Sequence, residues 1–241
     1  MKILIVNDDS IHAPGLAVLA KAAMEFGDVW VVAPAQQCSA MSQKLTIHDP
    51  LRVDKVENFP VPVQAAYQVG GTPVDCVKVA MQYILKEKPD YVFSGINEGY
   101  NVGYDIAYSG TLGATFEAVR NGVPAMAFSN TMHAPLHIAE SYLGPVIKEL
   151  METELEKGAV WNVNFPSVDP KDLKGILRDR AIAPMQFYSE AYVETKNPDG
   201  SVSLQCQGKP ITREDPVPTG TDVEAVLHDY ISIGKVHSIV G

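Results

Sequence analysis

Runs of consecutive apolar residues alternate, along the first two thirds of the chain, with longer segments in which apolar residues recur every three or four positions. The runs are typical of strands buried on both faces, and the periodic segments are typical of helices with one buried face. Strands are predicted at residues 3–6, 28–33, 61–69, 91–93, 124–129 and 161–165. Helices are predicted from Pro14, from Pro73 after the N-cap Thr72, after Ser109 to Thr111, and over residues 136–157. Because strand, helix and strand follow one another as in a βαβ unit, we expect an α/β domain with a mostly parallel sheet.

The pattern changes towards the C-terminus. Residues 175–183 and 186–206 are predicted to be extended, and Asn197-Pro198-Asp199-Gly200 is a hairpin turn signal within the second segment. Such a hairpin has little core of its own, and an exposed arm usually pairs with another subunit or covers a cleft. Thr221 to Glu224 have the pattern of a capping box before a last short helix, and residues 231–233 are predicted to form a final strand.

These elements predict one α/β domain over the whole chain. Its expected parts are a core at 1–170, extended strands and the hairpin arm at 175–215, and a C-terminal helix and strand at 220–241.

Composition and charge restrict what this domain binds. Hydrophobic residues make up 46% and charged residues 20% of the 241 residues, as in ordinary globular proteins. The formal net charge of −10 argues against a protein that binds nucleic acid duplexes through their phosphates. A small anionic substrate stays open, because a local cation and backbone N–H groups can outweigh the net charge.

Cysteine usage and hydropathy bear on location. Cys38, Cys76 and Cys206 are odd in number and far apart, which fits a reducing compartment rather than a disulfide framework. The first predicted strand follows Met1 and Lys2, which leaves no room for a signal peptide. No apolar run approaches the ~18 residues of a membrane span. We therefore expect a cytoplasmic protein with no membrane segment.

The first strand ends at two adjacent carboxylates, Asp8 and Asp9. Open α/β sheets bind their ligands at the carboxyl ends of the strands. Two like charges this close repel each other, and one pKa rises unless a cation neutralises them. Oxygen ligands suit Mg²⁺ or Mn²⁺, so we hypothesise a metal on Asp8 and Asp9. The alternative is that Asp9 or Ser10 caps the next helix.

Two further loops leave the same edge of the predicted sheet. Ser39 lies in the loop after the second strand, and Asn97 and Asn101 lie in a glycine-rich stretch after the strand at 91–93. A hydroxyl and an amide carbonyl are acceptable ligands of a hard cation, and the Asn101 amide can donate to a phosphate. The alternatives are a solvated serine and turn-forming asparagines.

Ser109, Gly110 and Thr111 open a helix near the same edge. Free N–H groups, two hydroxyls and the helix dipole favour a phosphate there, although an ordinary serine or threonine cap is the alternative. A metal beside such a site lowers the pKa of bound water and screens a phosphate ester. The expected reaction is hydrolysis of a phosphomonoester by in-line attack of water.

The chain resembles the SurE (survival protein E) family of metal-dependent nucleotidases. The resemblance rests on Asn7-Asp8-Asp9, Ala33-Pro34, Ser39, the stretch from Gly71 to Val77, the stretch from Ser94 to Asn101, and Tyr108-Ser109-Gly110-Thr111. It extends to about Phe165 and resumes at Thr221-Asp222, Ala225 and residues 230–233.

The resemblance implies hydrolysis of 5′- and often 3′-nucleoside monophosphates, with exopolyphosphatase activity as a further candidate. It implies one Mg²⁺ or Mn²⁺ per subunit on Asp8, Asp9, Ser39 and Asn97, with Asp8 and Asp9 as the catalytic pair. It implies phosphate contacts at Asn101, Ser109, Gly110 and Thr111. It also implies a Rossmann-like three-layer sandwich whose hairpin arm is exchanged between subunits of a homodimer or homotetramer.

The chain departs from the family pattern at a few positions. Ser10 and Ala40 stand where glycine is usual or frequent, beside the expected metal ligands. Asp229 replaces another usual glycine, and Gly234-Lys235 replaces Thr-Pro. None of these changes removes an expected ligand.

Three other functions compete with this interpretation. A phospho-receiver module needs an aspartate after a later strand and a lysine at the same edge, but Asp90 precedes its strand while Ser94 and Asn97 follow it. A haloacid-dehalogenase-type phosphatase needs Asp-x-Asp rather than adjacent aspartates. A non-catalytic nucleotide-binding protein differs from the enzyme in releasing no phosphate.

Overall fold

A computed structural model of the chain describes residues 1–189 and 191–238. The helices are α1 (Pro14–Ala23), α2 (Pro73–Val79), α3 (Gly110–Arg120), α4 (His137–Glu152) and α5 (Asp222–Leu227). The strands are β1 (Lys2–Val6), β2 (Asp28–Pro34), β3 (Val53–Lys55), β4 (Ala65–Val69), β5 (Tyr91–Glu98), β6 (Ala125–Asn130), β7 (Ala159–Phe165), β8 (Gly175–Arg180), β9 (Tyr188–Ser189), β10 (Tyr192–Lys196), β11 (Val202–Cys206), β12 (Lys209–Pro210) and β13 (Tyr230–His237).

Nine of these strands form one sheet in the order β3-β4-β2-β1-β5-β6-β7-β13-β8. The run from β4 to β7 is parallel throughout, β3 and β13 are antiparallel to β4 and β7, and β8 is parallel to β13. The predicted α/β fold with a mostly parallel sheet is thus confirmed. The chain leaves β1 towards β2 on one side and later returns to β5 on the other. The carboxyl end of β1 is therefore a topological switch point.

Two apolar layers enclose the sheet. Ile3 and Ile5 of β1 pack on one side in the cluster that contains α1 and α4. Leu4 and Val6 pack on the other side in the cluster that contains α2 and α3. This alternation along one strand gives the expected three-layer sandwich.

The predicted arm is an exposed hairpin. β10 and β11 pair antiparallel around the expected Asn197–Gly200 turn, and all ten of their residues are exposed. The first predicted extended segment, at 175–183, contains β8, which pairs with β13 inside the main sheet and is not part of the arm. Residue 190 in the predicted arm, and residues 239–241 at the end of the predicted C-terminal segment, lie outside the described residues.

Three predicted element boundaries also differ from the structure. The strand expected at 61–69 begins only at Ala65, because Pro60 and Pro62 cannot donate to a ladder. The strand at 91–93 continues to Glu98, with a register shift against β6 between Ser94 and Asn97. The helix expected to reach 157 ends at Glu152.

The expected capping box at Thr221 forms only in half. The Glu224 N–H donates to the Thr221 hydroxyl, but the Glu224 carboxylate accepts from the Gly220 N–H. At the start of α2, by contrast, Thr72 and Asp75 form both bonds of a capping box.

In the described residues, no helix combines the length and the apolar character needed to cross a membrane. All three cysteines are free thiols.

Candidate active site

Asp8 and Asp9 lie where β1 ends, at the switch point of the sheet. Asp8 is buried, and Asp9 is half-buried. The N-terminus of α3 packs directly against Asp8, and Gly110 permits this approach. A Cβ at Gly110 would lie 3.0 Å from the Cβ and from Oδ2 of Asp8, a tight contact that would require Asp8 to shift by a few tenths of an ångström.

Hydrogen bonds from α3 hold the Asp8 carboxylate. The Thr111 hydroxyl donates to Asp8 Oδ1 at 2.7 Å, and the Thr111 backbone also donates to this carboxylate. Burial and then the neighbouring charge of Asp9 nevertheless raise the pKa of Asp8 to about 7, against the lowering effect of the Thr111 bonds. The expected conflict between adjacent carboxylates is therefore present, with burial as its larger cause.

Asp9 points towards β5. Its Oδ2 accepts from the Glu98 N–H at 2.8 Å, and the Gln37 side chain also donates to it. Burial raises the pKa of Asp9, and the charge of Glu98 raises it further. The Glu98 carboxylate itself is held by the N–H and Nδ1 of His133, at 2.9 and 2.7 Å.

Ser39 and Asn97 come to the same cavity as Asp8. The Cys38 N–H donates to the Asp8 carbonyl at 2.7 Å, which brings the loop of Ser39 beside β1. Asn97 is half-buried, and its Nδ2 donates to the Gly99 carbonyl at 2.7 Å, so its amide is oriented by the chain itself. The structure thus brings Ser39 and Asn97 to the end of β1.

The residues expected to contact phosphate differ in their access to the cavity. Ser109 caps α3 by accepting from the Leu112 N–H, and it also lines the cavity. Thr111 is fully buried, so it orients Asp8 and is not placed to contact a substrate. Asn101 lines the cavity, but its Nδ2 donates to the hydroxyls of Ser129 and Thr111.

A buried polar network supports Asn101 from behind. Asn164 Oδ1 accepts from the Asn101 N–H at 2.9 Å, and the side-chain amides of Asn162 and Asn164 donate to the Asn101 carbonyl. Sequence reasoning assigned Asn162, Asn164 and Ser129 only to strands. The signal that could have found them is a pair of asparagines two positions apart in an otherwise apolar strand.

The donor set fits a divalent cation. Among the described residues, no lysine, arginine or histidine forms an ion pair with Asp8 or Asp9. The same residues contain no group of three His, Cys, Asp or Glu side chains placed to hold a metal. A cation here would therefore depend on two carboxylates with a hydroxyl and an amide, the oxygen set that Mg²⁺ and Mn²⁺ accept.

A cavity of about 410 Å³ opens beside the carboxylates. Its lining also includes Tyr108, Tyr188 and Met132, together with Cys206 and Gly208 from the root of the arm. Tyr108 and Met132 are 53% and 46% exposed, which leaves their apolar surface free to pack on a ligand.

Two carboxylates that sequence reasoning did not assign tie this part of the lining to the core. Asp105 accepts from the N–H groups of Phe187 and Tyr188, both at 2.9 Å. Buried Asp222 accepts from the N–H groups of Gly103 and Ala183 at 3.0 and 2.9 Å. The loop before α3 and the segment that leads into the arm are therefore held together.

Comparison with known proteins identifies close counterparts. The family model described as Survival protein SurE matches residues 3–185. A protein named 5′-nucleotidase SurE from Thermoanaerobacter sp. (strain X514) is 38% identical over 239 residues, which cover 98% of this chain and 92% of the relative. A 5′/3′-nucleotidase SurE from Escherichia coli O1:K1 / APEC is 37% identical over 237 residues, which cover 98% of this chain and 90% of the relative. The crystal structure of the SurE protein from Aquifex aeolicus superposes with a TM-score of 0.82 at 32% identity, over 98% and 93% of the two chains.

Proposed function

Since this chain belongs to the SurE family, we propose that it is a 5′-nucleotidase that hydrolyses nucleoside monophosphates to a nucleoside and inorganic phosphate. The observation that carries the proposal is the carboxylate pair at the switch point, where Asp8 is buried and Asp9 half-buried and neither forms an ion pair with a cationic side chain of the described residues. The same site is the basis for 3′-nucleotidase activity, which the name of the Escherichia coli relative includes.

Asp8, Asp9, Ser39 and Asn97 are the residues that would hold one Mg²⁺ or Mn²⁺ per subunit. A divalent ion there would supply the missing positive charge and would lower the pKa of a water molecule bound to it. The chain's own part is to fix the carboxylates: Thr111 orients Asp8, and the Glu98 N–H orients Asp9.

The phosphate would lie in the cavity, beside Asp8 and the N-terminal end of α3. Ser109, Gly110 and the Asn101 side chain are at this position, and the N-terminal end of a helix favours negative charge. Asn162 and Asn164 hold the Asn101 backbone from behind. Both Nδ2 protons of Asn101 are already donated, to Ser129 and Thr111, so a bond from this amide to the phosphate would replace one of these two bonds.

The nucleoside would occupy the outer part of the cavity. Tyr108, Tyr188 and Met132 line the same cavity as Asp8 and offer flat or adaptable apolar surface to a ribose and base. Stacking on such side chains tolerates different bases.

Phosphate release tests this proposal directly. The purified chain is incubated with AMP and with 3′-AMP in Mn²⁺ or Mg²⁺, and released phosphate is measured with and without EDTA. We expect release that EDTA abolishes and that excess Mn²⁺ restores. The variant Asp8→Asn should fold and lose the activity, whereas Asp54→Asn, which removes a partly exposed carboxylate of β3 that does not line the cavity, should retain it. Release that continues in EDTA would reject the metal, and nucleotide binding without release would favour the non-catalytic alternative.

Two further parts of the proposal concern assembly and location. The arm exposes Tyr192, Val202 and Leu204, so we propose that it pairs with another copy of the chain in a homodimer or homotetramer. The cytoplasm remains the predicted location, in keeping with three unpaired cysteines.

A further inference from the structure

Glu98 places an additional negative charge in the cavity, beyond the pair that would hold the cation. Its backbone N–H contacts Asp9, and its side chain lines the cavity together with Asp8 and Asn97. The Glu98 side chain is about half exposed.

His133 holds this charge in place. A carboxylate only accepts hydrogen bonds, so Nδ1 of His133 carries the proton that it donates to Glu98 Oε1 at 2.7 Å. The His133 N–H donates to the same oxygen at 2.9 Å. Two donors on one oxygen fix the carboxylate at the rim of the cavity, where a freely rotating glutamate would turn into solvent.

No lysine or arginine offsets Glu98 among the residues that line this cavity in the described part of the chain. Asp105 adds a second carboxylate to the same lining. A substrate with one phosphate places its charge on the cation and on the first turn of α3. A second phosphate has no comparable partner and lies in the field of fixed carboxylates.

We infer that Glu98, held by His133, is a specificity-determining residue that makes this enzyme favour nucleoside monophosphates over nucleoside diphosphates and inorganic polyphosphates. The inference rests on the proposed function and names the substrate class of the same site. It is an argument of negative selection, in which an unfavourable charge rejects the competing substrate.

The test compares kcat/KM for AMP, ADP and tripolyphosphate at one free Mg²⁺ concentration. AMP and ADP share the base and the ribose, so their ratio isolates the added phosphate. We expect wild-type protein to favour AMP by on the order of tenfold, and Glu98→Gln to reduce the AMP/ADP ratio about three- to tenfold. Glutamine keeps an oxygen that accepts from the His133 N–H, so the loop should retain its position.

A matched control and a salt series keep the outcome interpretable. Glu140→Gln removes a carboxylate that also pairs with a histidine, His137 Nδ1 at 3.6 Å, but that lies on α4 outside the cavity, and it should leave the ratio unchanged. Because the effect is electrostatic, the wild-type ratio should fall as ionic strength rises from 0.05 to 0.5 M, roughly in step with the shorter Debye length.

Equal kcat/KM for AMP and ADP in the wild type, or an unchanged ratio in Glu98→Gln, would overturn the inference while leaving the nucleotidase intact. If no phosphate is released from any substrate, the proposed function fails instead. Calorimetric affinities for AMP and ADP then measure the same discrimination without catalysis, and equal affinities would overturn it.

Discussion

The Thr111 hydroxyl donates a 2.7 Å hydrogen bond to Oδ1 of Asp8, 103 positions earlier in the chain. The bond joins the first turn of α3 to the end of β1. It lowers the pKa of the Asp8 carboxylate, whereas burial raises that pKa. Thr111 therefore acts on the candidate site through Asp8 rather than through the substrate.

Removing this hydroxyl should weaken metal binding. Thr111→Val keeps the shape but removes the donor, so we expect about tenfold weaker Mn²⁺ affinity and a similar loss of kcat, with little change in KM for AMP. Thr111→Ser, which retains a hydroxyl, should recover most of the Mn²⁺ affinity and most of kcat. Calorimetric titration with Mn²⁺ and steady-state kinetics make the measurement.

Thr115→Val is the control for this substitution. Thr115 is equally buried on α3, but its hydroxyl donates to the Leu112 carbonyl within the helix. A rise in KM alone in Thr111→Val, with Mn²⁺ affinity unchanged, would return Thr111 to the phosphate-binding role that the sequence suggested.

The raised pKa of Asp8 predicts how stability changes with pH in the metal-free protein. Burial raises the pKa of Asp8 to about 7 in the folded chain from its ordinary value of 3.8, so the folded state binds the proton more tightly than the unfolded chain does. The free energy of unfolding that this proton contributes is fully present below pH 3.8 and is lost as pH rises through about 7. The loss is at most about 4 kcal/mol. Urea unfolding in EDTA at pH 5 and pH 8 measures it.

Asp8→Asn removes this titration, so the variant should gain stability relative to the wild type at pH 8 but not at pH 5. Saturating Mn²⁺ should stabilise the wild type at pH 8 and leave the variant nearly unchanged. A stability difference that is the same at both pH values would show that Asp8 does not titrate in this range.

Some of this site could be predicted because the information is local. Asp8 and Asp9 follow an apolar run, and the ends of parallel strands meet at one edge, so Ser39 and Asn97 could be expected beside them. The role of Thr111 could not, since a hydroxyl at a helix N-terminus can face either a ligand or a protein carboxylate. Only the close packing of Gly110 on Asp8 decides between the two.

The rest depended on contacts between distant segments. β8 has the same extended pattern as the arm, and its place in the main sheet is set by pairing with β13, more than fifty residues later. Asp105 and Asp222 have the appearance of ordinary acidic residues near helix starts, and their bonds to residues 183–188 become visible only in the fold.

The residues that replace usual glycines predict a stability change. Ser10, Ala40 and Asp229 all have positive φ, at 96°, 56° and 67°, where a side chain is disfavoured and glycine is not. We expect Ser10→Gly to stabilise the protein by about 0.5–1 kcal/mol, because the relief of strain exceeds the added entropy of the unfolded chain. The midpoint of urea unfolding gives the measurement.

Asp229→Gly is the informative comparison. Asp229 forms ion pairs with Arg213 and with Lys174, so its replacement removes two contacts along with the strain. Asp229→Gly should therefore give no net gain in the free energy of unfolding. Destabilisation by Ser10→Gly would mean that the Ser10 side chain contributes more than its backbone costs.

Tyr108 should contribute to binding of the nucleoside and not to the chemistry at phosphorus. Tyr108→Ala is expected to raise KM for AMP on the order of tenfold, the usual effect of losing one stacking side chain, while hydrolysis of glycerol phosphate stays the same. Tyr83→Ala removes a tyrosine of similar exposure outside the cavity and should change neither. An equal loss with both substrates would show that Tyr108 supports the fold of the site.

The arm should form subunit contacts through one of its two faces. Its register places Tyr192 opposite Cys206, Glu194 opposite Leu204 and Lys196 opposite Val202, so the large apolar residues of β11 share a face with Tyr192. The other face carries the pairs Thr195–Ser203 and Val193–Gln205, so it is the more polar of the two although it includes one apolar residue. A charge on the first face therefore opposes burial, whereas a charge on the second is tolerated if that face stays in water.

Leu204→Lys should accordingly reduce the mass measured by light scattering after size exclusion, and Ser203→Lys should leave it unchanged. Both variants should keep the thermal midpoint of the core, because all ten residues of β10 and β11 are exposed in the single chain. If Leu204→Lys retains the full assembly mass, the arm does not hold the subunits together. A change in AMP hydrolysis without a change in mass would instead indicate that the arm, whose root at Cys206 lines the cavity, covers the site of its own chain.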